Sequence, residues 1–155
     1  MSVPKSVVRF RKNGIEYTSS VDRVNYTIVE LTRAALRDCG KFIVRTANSE
    51  AMKLPGLKKS RRVRGRSSTF LYNVPWAKTG LPHLEVGVKH GTWYGEQQEL
   101  GTSQQPKRQI LRNSAHNNIP QIIEIQSKYL SALEDEAEAL RLISEEEYTG
   151  GGEDG

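Results

Sequence analysis

A single cysteine, Cys39, stands in 155 residues. That excludes an internal disulfide framework and leads us to expect folding in a reducing compartment. No apolar run approaches the ~20 residues that a membrane helix requires. No charged-then-apolar leader opens the chain. The expectation is a protein neither secreted through a cleaved signal nor embedded in a membrane. Only three histidines occur, His83, His90 and His116, and they share no metal-ligand spacing with Cys39. His83 and His90 bracket one segment at an odd step, which puts them on opposite faces of a regular strand. The stretch "RGRSSTF" lacks the glycine–lysine–hydroxyl order that cradles phosphates. No internal repeat is visible. Neither a metal nor an organic cofactor is expected.

The length fits one domain with a core large enough to fold without metal or disulfide staples. Hydrophobic residues make up 36% and the mean hydropathy is −0.60. A chain this polar must place its surplus in tails, loops or wet interfaces. The net charge of +5 hides a marked asymmetry. Lys58, Lys59, Arg61, Arg62, Arg64 and Arg66 put six cations and no anion into nine residues, whereas Glu134–Gly155 holds nine anions and only Arg141. Separated blocks of this kind serve either as solvated surface or as contacts to different partners or neighbouring copies.

Asn13-Gly14 between Val7–Phe10 and Ile15–Tyr17 predicts an N-terminal β-hairpin, since both residues tolerate positive φ. Ser19 or Ser20, with Asp22 following, offers the cap of a helix. Val24, Ile28, Leu31, Ala35, Cys39, Phe42 and Ile43 form a stripe at steps of three and four, predicting that the helix runs to about Met52. Such a helix exceeds what a small core needs, so its far end is expected to pack on something beyond it. Gly40 marks a close approach or a break. Pro55, Gly56 and Gly65 make the basic segment a long exposed loop. Thr69–Val74 and His83–His90 read as strands, the second with Leu84, Val86 and Val88 on one face. Trp93–Leu100 fits either a third strand or a helical turn. Ile110, Leu111 and Ala115 form a short helical segment. Asn117 or Asn118 then caps a last helix, with Pro120 in its first turn and a stripe from Ile122 through Ile123, Tyr129, Leu130, Leu133, Ala137 and Leu140 to Ile143. The predicted fold is α+β: N-terminal β-hairpin, long α-helix, small antiparallel sheet with a long basic loop, C-terminal α-helix. Residues 1–147 form one domain, and 148–155 a flexible acidic, glycine-rich tail.

Catalysis finds little footing. Glu96 and Glu99 provide two carboxylates, but acid–base work needs a pocket that splits their pKa values, and no distinctive partner accompanies them. Cys39 lies on the apolar stripe and reads as a buried, inert thiol. The basic loop can pair with phosphates, yet it lacks interleaved aromatics and any recognition-helix signature. Four of its six cations are arginine, which suits carboxylates as well as phosphates.

The stretch "YGEQQELGTSQQPKRQILR", residues 94–112, reads instead as architecture. Gly101 permits a turn that other residues resist, Thr102 or Ser103 can satisfy local amides, Pro106 stiffens the exit, and Ile110-Leu111 supplies an apolar anchor. Here the chain resembles the small neck or tail-completion (head–tail joining) proteins of tailed bacteriophages. Their pattern is Tyr-Ala, a spacer, Glu-Phe-Gly-Thr, a polar spacer with proline, then Pro-Phe-Leu-Arg-Pro-Ala opening a final helix. Tyr94, Glu99, Gly101, Thr102, Leu111 and Arg112 match it. Gly95, Leu100, Gln109-Ile110 and Asn113-Ser114 depart from it.

The resemblance implies a non-enzymatic virion structural protein, assembled in the host bacterial cytoplasm into a hexameric or dodecameric ring. That ring would complete the head-proximal end of the tail and join head to tail. Its implied partners are other copies of itself, other neck proteins, the tail tube or terminator, and genomic DNA in the lumen. The basic loop becomes a candidate subunit or DNA contact, and Glu134, Asp135, Glu136 and Glu138 become candidate acidic interface residues. A tail-terminator ring is a close variant. A non-specific DNA-binding accessory protein and a small hydrolase built on Glu96 and Glu99 are the alternatives from other classes.

Overall fold

In the computed structural model, residues 8–19, 21–53, 70–75, 81–89 and 93–150 are described. Asn13 and Gly14 both take positive φ, 54° and 82°, as a two-residue type I′ turn demands. They join β1 (Val8–Lys12) to β2 (Ile15–Ser19) as an antiparallel hairpin, with Phe10 opposite Tyr17 and Lys12 opposite Ile15. Ser19, one of the two expected helix caps, is the last residue of β2; Ser20 lies outside the described residues. The hairpin packs mainly on itself, because no other described element shares a substantial contact with either strand.

Helix α1 (Val21–Lys53) is 33 residues long, roughly 50 Å at ~1.5 Å per residue. Every other part of the core rests on it. Leu31, Ala34, Ala35, Cys39, Ile43 and Ala47 are buried along one stripe. The expected start of that stripe is corrected: Val24 and Ile28 remain 52% and 43% exposed, and Val21 60%. The surplus length therefore lies at the near end of α1. Its far end is covered, since Val44, Ala47 and Ala51 pack with Phe70 and Ile110.

Strands β3 (Phe70–Asn73) and β4 (Glu85–Val88) pair antiparallel, Phe70 opposite Val88 and Tyr72 opposite Val86. Leu84, Val86 and Val88 are half-buried and alternate with exposed His83, Glu85 and Gly87. Gly40 is the reason the sheet can lie on α1. A Cβ there would stand 2.6, 2.7 and 2.9 Å from the Cδ2, Cγ and Cβ atoms of Tyr72, so only glycine lets helix and strand come this close. Trp93–Leu100, open between strand and helix on sequence grounds, is helix α2.

Helices α3 (Ile110–His116) and α4 (Ile119–Ser131) follow. Asn118 occupies the cap position of α4, with proline in the first turn, but its side chain makes no cap bond. Its Nδ2 donates backwards to the Ser114 carbonyl at 2.8 Å, tying α4 to α3. Tyr129 Oη donates to Asp38 Oδ2 at 2.5 Å, which lets the phenol be buried against α1 without an orphaned hydroxyl.

The single last helix expected to Ile143 is corrected to two. A 3-10 turn, Ala132–Glu134, and extended Asp135 (φ −126°, ψ 109°) separate α4 from α5 (Glu136–Gly150). The break re-phases the apolar face. Ala139, Leu142 and Ile143 join Leu31, Ala34, Ala35, Tyr129 and Ala132 in the core, while Leu130 and Leu133 are left exposed at 62% and 42%. The fold is α+β, a helical body on α1 carrying one small sheet and led by a separate hairpin. Helix α5 takes in residues 148–150, the first part of the segment read as a tail, and 151–155 lie outside the described residues.

Candidate functional site: the joint between α2 and α3

The motif residues gather at one hinge of the backbone. Helix α2 ends when Gly101, at φ +79°, turns the chain in the left-handed region while its N–H still reaches the Gln97 carbonyl at 2.8 Å. This is the usual glycine exit from a helix. Thr102 then closes a tight turn. Its N–H donates to Gln105 O at 2.8 Å, and its carbonyl accepts from Gln105 N at 3.3 Å. Its Oγ1 accepts from the amides of Gln104 and Gln105 at 3.3 and 3.1 Å. Arg108 N donates back to Gln98 O at 2.8 Å, so the chain folds over its own preceding helix.

Gln109 enters α3 in a left-handed conformation (φ 50°, ψ 46°) and its side chain makes no cap bond. The first amides of any helix lack intrahelical acceptors. Here Glu99 supplies the acceptors from twelve residues upstream: Leu111 N donates to Oε2 at 3.1 Å and Arg112 N to Oε1 at 3.2 Å. A carboxylate at this end also faces the positive pole of the helix. Ile110, 6% exposed, then drops into the cluster with Ala47 and Phe70, and Leu111 packs against it. Glu99, Gly101, Thr102 and Leu111 thus each perform a definite structural task in one joint. Arg112 contributes its amide and leaves its side chain exposed. Tyr94 lies in the first turn of α2.

Glu96 and Glu99 border one groove but have different duties. Both oxygens of Glu99 are held by helix amides, and Glu96 is exposed. Replacing Glu99 with Gln removes one acceptor and turns an amide toward two N–H groups. The expected cost is about 1 kcal/mol, read as a shift in the urea midpoint with an unchanged slope.

Burial and the neighbouring Asp38 charge push the Cys39 thiol up from 9.0 to about 11. Its Sγ lies 3.9 Å from the Ile122 carbonyl. The thiol is an interior contact between α1 and α4.

The acidic candidates gather at the start of α5. Asp135 accepts from Ala137 N at 2.9 Å and caps that helix. Glu138 pairs with Arg141, and that bond holds its carboxyl below its usual range. Glu134 is exposed, and Glu136 opens α5. The basic residues Lys58, Lys59, Arg61, Arg62, Arg64 and Arg66 lie outside the described residues. Among the described residues no group of three or more His, Cys, Asp or Glu is placed to hold a metal ion.

One feature escaped sequence reasoning: an open groove of about 460 Å³ between β4, α2 and α3. Ile43, Leu111 and Ala115 form its apolar wall, with Leu100, Glu96 and Arg112 at the rim. No local pattern announces it, because its walls come from four separate elements. No protein-family model matches the chain, and neither the curated proteins nor the solved structures yield a match.

Proposed function

We propose that this protein is a neck component of a tailed-bacteriophage virion, a ring subunit that completes the head-proximal end of the tail and joins head to tail. The observation that carries the proposal is the α2–α3 joint. Four of the six positions that match the tail-completion pattern build it: the Glu99 cap, the Gly101 turn, the Thr102 amide acceptor and the Leu111 anchor. A motif used in this way specifies shape. It fixes the angle between two helices and needs no substrate.

In this reading the protein works by docking, not by chemistry. The commitment of both Glu99 oxygens to backbone amides supports that view, since a carboxylate so engaged is poorly placed to shuttle protons. Val21, Val24 and Ile28 follow one another at steps of three and four on α1 and are all exposed, an uncovered apolar stripe that supports contact with another subunit. The basic segment Lys58–Arg66 is assigned to a neighbouring ring or to DNA in the lumen.

The test is genetic and direct. An infection lacking this protein is expected to accumulate filled heads and finished tails that remain separate in electron micrographs, and adding the purified protein should join them. Normally joined particles made without it would overturn the assignment.

A further inference from the structure

We infer that β1 of one copy adds as a third strand to the free edge of β4 in a neighbouring copy, along the groove between β4, α2 and α3. This deepens the ring reading above and rests on it. Four observations lead there.

The first is that the sheet ends at β4. It has two strands in the order β3-β4, so one edge of β4 has no strand partner among the described residues. Val86, Gly87 and Val88 all border the groove. Consecutive strand residues point to opposite faces, so three in a row can border one groove only along the strand's edge. The groove therefore lies where an added strand would run, and peptide recognition by strand addition uses such an edge.

The second concerns the donor. A two-stranded hairpin without further packing is marginal in water, and this one packs mainly on itself. The sequence of β1, VRFRK, alternates apolar and cationic residues up to Arg11, the pattern of a strand with one face covered and the other in water. The acceptor has the same division. Ile43, Leu111 and Ala115 wall the groove on the inner side, and exposed Glu85 lies on the outer face of β4.

Charge is the third. The sequence "VRFRK" brings three cations, Arg9, Arg11 and Lys12, to a groove whose rim carries Glu96 and Arg112, with exposed Glu85 on β4 beside it. Opposite charges on adjacent strands favour pairing and help set its register.

Reach is the fourth, and it identifies the occupant. The hairpin precedes Val21 at the start of α1, whereas the groove lies beside Ile43. Those two residues are roughly 33 Å apart along the helix axis at ~1.5 Å per residue. A five-residue strand extends only about 17 Å. A chain's own hairpin falls well short of its own groove, so the strand comes from a second copy. Donor and acceptor surfaces differ, and repeated head-to-tail contacts of this kind give a ring when the rotation between copies closes.

The experiment uses the full chain. Sedimentation of the Arg9→Glu/Arg11→Glu variant and of Glu85→Lys should each show self-association weakened about tenfold or more, and combining all three substitutions should recover much of it. Mixing an Arg11→Cys copy with a Glu85→Cys copy under oxidation should give a covalent dimer that neither gives alone. Circular dichroism checks that each variant is folded; Arg11 and Glu85 are exposed. A wild-type chain that associates equally well with or without these changes, or a mixture that yields no dimer, overturns strand addition while leaving the neck assignment standing. Unjoined particles that purified protein cannot rescue would instead count against the neck assignment itself.

Discussion

Replacing Gly101 with alanine is expected to lower the melting temperature by roughly 6–12 °C, the equivalent of about 3 kcal/mol in a chain of this size. Two costs add. The backbone sits at φ +79°, where a side chain costs of order 1 kcal/mol or more. The new Cβ would also stand 2.7 Å from Lys107 N, 3.0 Å from Lys107 Cα and 3.1 Å from the Gln105 carbonyl. These are backbone atoms and have no rotamer to give way. Relieving the clash means opening the 102–107 turn, which moves α3 away from Glu99 and frees the Leu111 and Arg112 amides. Thermal unfolding followed by circular dichroism reads the effect. A loss under about 1 °C would mean that the joint is not the rigid hinge described above.

The second large effect is expected at Gly40, where two rules disagree in sign. Helix propensity alone says that alanine stabilises an interior glycine position by about 1 kcal/mol. Contact says the opposite, because Tyr72 Cβ, Cγ and Cδ2 all lie within 2.9 Å of the new atom. Overpacking of this kind costs about 1–3 kcal/mol. Since Cβ and Cγ are involved, the ring cannot escape by rotating and β3 itself must retreat. The clash is expected to win, with Gly40→Ala destabilising by about 2 kcal/mol. Truncating the obstacle should reverse the sign. In a Tyr72→Ala background, Gly40→Ala should stabilise, as a double-mutant cycle measures. A stabilising Gly40→Ala in the native background would show that sheet and helix are not in contact as described.

These two glycines also mark the limit of what the sequence discloses. The hairpin was legible because Asn13-Gly14 encodes its own turn, and α1 because its apolar steps follow the helical period. The roles of Gly101 and Thr102 followed from local turn chemistry. The cap that Glu99 provides was not legible, because its partners are amides twelve and thirteen residues away and no short-range rule connects them. Gly40 could be flagged, but its partner Tyr72 lies on β3, a separate element that no local rule pairs with it.

The break at Asp135 had a readable signal. Asp135 followed by Glu138 has the spacing of a capping box. It was obscured by Leu130, Leu133, Ala137 and Leu140, whose spacing suits an uninterrupted helix equally well. The structure resolves the conflict by burying Ala139, Leu142 and Ile143 instead. The apolar first turns of α1 illustrate a different limit: periodicity identifies an apolar face but cannot say whether this chain or another covers it.

The interior position of Cys39 has a practical consequence. With its single sulfhydryl protonated until about pH 11 and 1% exposed, the native chain is nearly silent toward maleimides near neutrality. A cysteine introduced at any surface position therefore becomes the one addressable point on the molecule. Fluorophores or spin labels can report distances between neighbouring subunits without first substituting the natural residue, whose removal would disturb the seam between α1 and α4.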